Sequence, residues 1–219
     1  LETLTLRQNK IQSLDEHHFA SLHQLISLDL SENRLDTIES PFRYLLNLES
    51  LNLCKNRVRQ IDANAFGSLK KLQVLILESN QLRTLHVNLF RALGKLKFLF
   101  LNKNRIRQLP YGIFAQQSKL NTLNLANNNL EKLEDYLFVT LTSLEYLDLS
   151  FNMLSELNSL ALYNLNALIC LFVKHNNIKS LSETDYRVLE SLTSLRYLKM
   201  RGNPVFKTLY VTSTSNSSD

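Results

Sequence analysis

The sequence predicts an α/β solenoid, an elongated stack of one repeated supersecondary unit, and three observations predict it. Asparagines recur in register at Asn9, Asn33, Asn56, Asn80, Asn104, Asn128, Asn152, Asn176 and Asn203, with successive gaps of 24, 23, 24, 24, 24, 24, 24 and 27 residues. Each asparagine follows the same spacing of leucines. A phenylalanine holds one place in six consecutive units, at Phe19, Phe42, Phe66, Phe90, Phe114 and Phe138, with Leu162 and Leu189 taking that place later. Such a period means that no unit buries its apolar face alone and that stacking neighbours builds one continuous core.

Residues 72–95, LQVLILESNQLRTLHVNLFRALGK, show how one unit is built. Leu75, Ile76 and Leu77 alternate with the period of a short strand, so the leucines point inward and Ile76 points out. Asn80 follows as the turn. Its amide carries donors and an acceptor, so a column of such amides can satisfy backbone groups at the turn and in the neighbouring unit. The remaining residues are too few for a second long element, so the return path is expected to be loop or a single 3₁₀ turn that carries Phe90 inward. The phenylalanines then stack as a spine on that side.

Composition agrees with one module. Among 219 residues there are only 4 Gly and 3 Pro and no Trp, and aliphatic residues run throughout. Residues 1–210 are predicted to form the solenoid of about nine repeats, and 211–219, VTSTSNSSD, a flexible Ser/Thr-rich tail. No apolar run reaches the length of a membrane span, and the first residues lack the features of a signal peptide. The chain starts on a repeat's first leucine, which suggests a segment of something longer. The two cysteines, Cys54 and Cys170, fall five repeats apart. Stacked strands at ~4.8 Å put them ~24 Å apart, beyond the ~7 Å reach of a disulfide, so both are expected to be free thiols.

The pattern LxxLxLxxNxLxxLxxxxFxxLxx resembles the leucine-rich repeat family in its 24-residue subclass, over residues 1 to about 206. The resemblance implies a horseshoe with a parallel sheet on its concave face and loops or short 3₁₀ turns on its convex face. It also implies the extracellular company of this repeat length, such as Toll-like receptor ectodomains, small proteoglycans and adhesion receptors. Two features depart from that company. No cysteine-rich cap flanks the repeats, and after Asn203-Pro204 the chain reads VFKTLYVT where a cap would begin. An uncapped first repeat would present an apolar cross-section to water. The segment by itself is therefore expected to be unstable or to self-associate, and a sharply melting monomer in ultracentrifugation and calorimetry would contradict this.

The periodicity is broken in three places. One residue is missing between Ile38 and Phe42, three extra residues fall between Leu181 and Leu189, and Gln117 takes a core leucine's place. The first two map to the return side, where length changes are cheap or serve a partner. Gln117 reads as a slight packing defect.

Outward strand positions carry the functional signal. The first three repeats offer mostly polar residues there, whereas Val74, Ile76, Phe98 and Phe100, and then Tyr146, Cys170, Phe172 and Tyr197, are apolar or aromatic where the scaffold needs nothing apolar. An exposed aromatic cluster suits a protein interface. The plainer reading is that such residues favour strands and pack across them. A basic stripe lies after the strands: Lys10, Arg34, Lys55, Arg57, Arg59, Arg83, Lys103, Arg105 and Arg107, with Arg57, Arg59, Arg83, Arg105 and Arg107 its centre. It suits a polyanion, whether a sulfated glycan, nucleic acid or an acidic protein surface. It is otherwise a solvated face, partly neutralised by Glu32, Asp36, Asp62 and Glu78.

Nothing points to catalysis, a metal or a cofactor. The histidines His17, His18, His23, His86 and His175 form no ligand spacing, and Asp15-Glu16-His17-His18 reads as a polar loop. Asn216 heads the single glycosylation sequon. The reading is thus a non-enzymatic recognition module, part of an extracellular receptor or a secreted innate-immune or adhesion protein. It would bind a protein ligand or co-receptor on the concave face, with dimerisation as a further mode of assembly. An intracellular scaffold, favoured by the unpaired cysteines and missing caps, and the recognition arm of a multidomain enzyme are the alternatives.

Overall fold

The computed structural model describes residues 1–205. The tail at 211–219, its sequon at Asn216 and the last expected residues of the solenoid lie outside them. Eleven strands occur in the order β1 (Thr3–Thr5), β2 (Ser27–Asp29), β3 (Thr37–Ile38), β4 (Ser50–Asn52), β5 (Gln60–Ile61), β6 (Val74–Ile76), β7 (Phe98–Phe100), β8 (Thr122–Asn124), β9 (Tyr146–Asp148), β10 (Cys170–Phe172) and β11 (Tyr197–Lys199). Nine of them form one sheet in the order β1-β2-β4-β6-β7-β8-β9-β10-β11. Every pairing is parallel and in register, for example Val74↔Phe98, Leu75↔Leu99 and Ile76↔Phe100. The stacked turns form a leucine-rich repeat horseshoe with this sheet on its concave face.

The central residue of each interior strand points into the core: Leu28, Leu51, Leu75, Leu99, Leu123, Leu147 and Leu171 are all buried. Opposite them runs the phenylalanine spine. Ring centroids lie 6.2 Å apart for Phe19–Phe42, Phe42–Phe66 and Phe90–Phe114 and 5.8 Å apart for Phe114–Phe138. Burying such a ring contributes roughly 2–3 kcal/mol relative to exposure, so the spine is a large share of the core. Leu162 continues it fully buried, whereas Leu189 is only half-buried.

The asparagines close the turns. Asn104 Nδ2 donates to the carbonyls of Leu101 at 3.0 Å and of Leu77, one turn back, at 2.9 Å, while its Oδ1 accepts from the Leu82 N–H at 3.1 Å. The same set recurs at Asn33, Asn56, Asn80, Asn128, Asn152, Asn176 and Asn203. These bonds offset a local cost. The residue before each asparagine is left-handed, with φ of 51 to 57° at Gln8, Glu32, Lys55, Ser79, Lys103, Asn127, Phe151 and His175, and 84° at Gly202. A non-glycine residue there costs about 1 kcal/mol or more.

The convex side is mostly turns, with 3₁₀ segments at Glu16–Phe19 and Ser159–Leu162. Asp15 caps the first, accepting from the His17 N–H at 2.8 Å, while His18 Nδ1 accepts from the Asp15 N–H at 3.0 Å. The polar run Asp15–His18 is thus a capping device and not a plain loop. Just before the shortened return the chain is extended, where β3 pairs with β5, and residues 39–44 then bend and turn. The insertion after Leu181 departs from the expected loop or single 3₁₀ turn: it folds as an α-helix, α1 (Glu183–Ser191). Ser182 and Asp185 form its capping box, and Asp185 Oδ1 also accepts from the Ser159 N–H at 3.1 Å, tying α1 to the preceding turn. Burial acts to raise the Asp185 pKa, but the bonds from Ser182 and Ser159 outweigh it and hold the carboxyl below its ordinary value.

Gln117 is no packing defect. It is fully buried, and its Nε2 donates to the Phe90 carbonyl at 2.7 Å and the Leu93 carbonyl at 3.4 Å. The amide fills a leucine's volume and stitches two turns together.

Asn104→Ala strands the buried Leu82 N–H and removes a donor from the carbonyls of Leu77, Leu101 and Asn102. Urea unfolding is expected to show a loss of at least about 2 kcal/mol, since each unsatisfied buried group costs about 1–3 kcal/mol. A loss under about 0.5 kcal/mol would contradict the role given to the ladder.

Candidate functional site

Parallel register turns the concave face into columns of equivalent residues, one residue per turn. The second outward column reads Thr5, Asp29, Asn52, Ile76, Phe100, Asn124, Asp148, Phe172 and Lys199. Where it is Asp or Asn, the side chain accepts from the backbone N–H two residues on: Ser31 to Asp29 at 2.8 Å, Cys54 to Asn52 at 3.0 Å, Ala126 to Asn124 at 3.0 Å and Ser150 to Asp148 at 2.9 Å. This is a local turn bond that Ile76, Phe100 and Phe172 forgo. Asn102, two residues after Phe100, is 8 % exposed, and its Oδ1 is buried with no partner among the described residues.

Strand pairing brings Val74, Ile76, Phe98 and Phe100 into one contiguous patch on β6 and β7. Tyr146, Cys170, Phe172 and Tyr197 form a second on β9, β10 and β11. Thr122 and Asn124 of β8 separate the two. Most of these side chains are half-buried because they pack across the strands, while Phe98 is 37 % and Tyr197 58 % exposed. In the second patch the Tyr146 and Phe172 rings meet edge to face at 5.3 Å, and Lys199 Nζ sits over the Phe172 ring at 4.7 Å. Burial and then the Asp148 carboxylate push the Tyr146 phenol up to about 12, so it stays a hydrogen-bond donor, reaching Asp148 Oδ2 at 3.3 Å.

One neighbouring group is not foreseen in the sequence. The exposed Phe151 and His175 rings stack at 4.5 Å and 15°, and the next turn has Gly202. A Cβ on Gly202 would sit 2.5 Å from His175 Nδ1, so glycine alone leaves the ring its place. The signal was available: these three residues each precede a ladder asparagine and form one column.

The basic stripe resolves into three columns of different character. Lys55 and Lys103, directly before the asparagines, are neutralised by Glu32 at 2.9 Å and Glu78 at 2.8 Å. Hydrogen bonds from Lys55, Gln8 and Arg7 lower the Glu32 pKa to about 2. Asp36 and Asp62 pair with no cation among the described residues, and Asp62 instead caps the Asn64 N–H at 2.8 Å. The arginines Arg57 and Arg105 lie just after the asparagines, and Arg59, Arg83 and Arg107 two residues further on. Within 4.0 Å none of the five has a carboxylate partner among the described residues. The guanidinium of Arg59 reaches only the Gln81 side-chain oxygen, at 3.3 Å.

Cys54 and Cys170 are both free and half-buried. Burial raises the Cys54 thiol above its ordinary pKa. Among the described residues no group of His, Cys, Asp and Glu side chains is placed to hold a metal, and no helix is long and apolar enough to cross a membrane.

Comparison with known proteins gives these columns a context. The human leucine-rich repeat-containing protein 3B is 39% identical over 69 residues, covering 31% of this chain and 27% of the relative. The chain thus spans under a third of that protein's length. The leucine-rich repeat chain of FLRT2, solved in an octameric complex with Latrophilin 3 and Unc5D, superposes with a TM-score of 0.83 at 25% identity, covering 100% of this chain and 67% of that one. A TLR13 chain, solved with the single-stranded RNA ssRNA13, gives 0.70 at 30% identity, covering 90% and 32%. Residues 1–45, 46–106 and 99–154 match the family described as leucine rich repeat. With more than half its length matched and the 24-residue repeat spacing kept, the chain belongs to the leucine-rich repeat family.

Proposed function

We propose that this chain is a non-catalytic recognition module of an extracellular receptor or secreted protein, and that it binds a protein ligand on the concave face through Val74, Ile76, Phe98 and Phe100, with Tyr146, Phe172 and Tyr197 as a second contact area. The observation that carries this reading is the exchange of turn-capping Asp or Asn for Ile76, Phe100 and Phe172. Those side chains forgo a hydrogen bond that four other turns make, so the scaffold gains nothing from them at that bond. Aromatic anchors ringed by polar residues are how protein interfaces concentrate their energy. FLRT2, held in a complex with Latrophilin 3 and Unc5D, supports a protein ligand by analogy of fold.

The intracellular scaffold is favoured by the two free cysteines. A thiol whose pKa is raised by burial is slow to oxidise, however, so Cys54 is also compatible with an oxidising compartment.

Screening the protein against an arrayed library of ectodomains and re-measuring each hit with Phe98→Ser/Phe100→Ser tests the proposal. The expected result is at least a ~10-fold loss of affinity, with circular dichroism and melting unchanged, because an anchor residue is worth about 2 kcal/mol or more. Undiminished affinity would remove this patch from the interface.

A further inference from the structure

We infer that Arg57, Arg59, Arg83, Arg105 and Arg107 form a second binding site, for a linear sulfated polysaccharide, on the edge of the sheet that follows the strands. The site is separate from the concave patch and does not depend on it.

The scaffold has no need of these charges. Equivalent places in the sixth and seventh turns hold Asn129, Glu131, Met153 and Ser155, and those turns keep the same ladder bonds through Asn128 and Asn152. The fold also places the arginines against one another. Arg107 N–H donates to the Arg83 carbonyl at 3.4 Å, so these two side chains leave adjacent turns of one column. Turns stacked at ~4.8 Å put the Cα atoms of Arg59 and Arg107 about 10 Å apart, with Arg83 between them. Like charges at such spacing repel unless an anion is shared among them.

Pairing within the chain does not relieve that repulsion. Carboxylates take up the lysines of the neighbouring column, Lys55 and Lys103, yet all five arginines remain without one among the described residues. Acidic residues instead bound the row. Asp36 precedes Arg59 and Glu131 follows Arg107, each joined to its arginine neighbour by a backbone bond, at 2.8 and 3.3 Å. Beside Arg83 and Arg107 an open cavity of about 790 Å³ continues past Gln108 and Lys132, with Glu131 and Glu156 in its far wall. The row is thus a cationic strip of three turns with an adjoining trough.

The chemistry of the strip selects its ligand. None of the exposed large apolar residues lies at these positions, so the aromatic anchors of a protein interface are missing here. Aromatic faces on which unpaired bases would stack are missing for the same reason, which disfavours single-stranded nucleic acid. What remains is a row of planar guanidinium donors, suited to the oxyanions of a polymer that carries charge and little else.

Surface plasmon resonance of the whole chain on immobilised heparin tests the site, with N-desulfated and O-desulfated heparin, single-stranded DNA and polyglutamate as parallel probes. The expected result is binding to heparin that weakens on the order of 10²-fold between about 50 and about 200 mM salt, as release of counterions from some five contacts requires. Arg83→Glu/Arg107→Glu and the milder Arg57→Gln/Arg105→Gln should each lose at least ~10-fold, since each removes two of those contacts. The matched variant Lys71→Glu/Lys95→Glu/Lys119→Glu changes exposed lysines before the strands and should keep wild-type affinity. Four outcomes would overturn the inference: no heparin binding, full binding by both arginine variants, loss in the lysine variant instead, or binding to desulfated heparin, DNA or polyglutamate as tight as to heparin.

Discussion

The asparagine amide that spans two turns is the interaction on which the rest of this structure depends. A chain that reverses direction every few residues must leave N–H and C=O groups unpaired at each corner, and a buried corner cannot give them to water. From Asn33 onward each ladder asparagine bonds its own turn and the one before it, as Asn128 does with Leu125, Leu101 and Ile106. At about 1 kcal/mol net per bond these contacts outweigh the left-handed residue that the corner demands. The strain is therefore local and so is its compensation. Since the same bonds join neighbours, each turn is only as stable as the contact with the next, which gives the solenoid its one-dimensional character.

That division of labour frees the surface. Once leucines, phenylalanines and asparagines have fixed core and corners, the outward residues can change without touching the scaffold. The second concave column shows the freedom in use: Asp29, Asn52, Asn124 and Asp148 serve the backbone, while Ile76, Phe100 and Phe172 do not. The edge of the sheet shows it again, with lysines held by Glu32 and Glu78 beside arginines that no carboxylate holds among the described residues. Two surfaces of different chemistry, one apolar and one cationic, thus share a single backbone.

Much of this was legible in the sequence because a repeat reads as a ruler. Registration on the asparagines was enough to place the inward leucines, the spine from Phe19 to Phe138 and the patch neighbours Phe98 and Phe100. What escaped depends on contacts between turns. Gln117 looks like an error by residue type, yet its amide finds carbonyls 27 and 24 residues earlier. The run Ser182-Glu183-Thr184-Asp185 did carry a helix-capping signal, and the extra length of the insertion supplied the room that α1 needs. The choice of partners by long charged side chains was beyond reading. Lys55 selects Glu32, 23 residues away, while Asp62 turns to its own backbone. Exposure on the concave face was likewise hidden, because Tyr146 and Phe172 bury much of each other.

Amide hydrogen exchange on the intact chain tests the central claim most directly. The backbone N–H groups of Leu82, Ile106, Leu130 and Leu154 bond only to the side chains of Asn104, Asn128, Asn152 and Asn176. If the ladder holds the turns together, these four protons exchange as slowly as the strand-end protons of Leu77 and Leu101, just past β6 and β7, which bond to the backbone of the next turn. Exchange at the rate of exposed return-loop amides, with the strand protons still protected, would show that the sheet stands without the asparagines and would contradict the account.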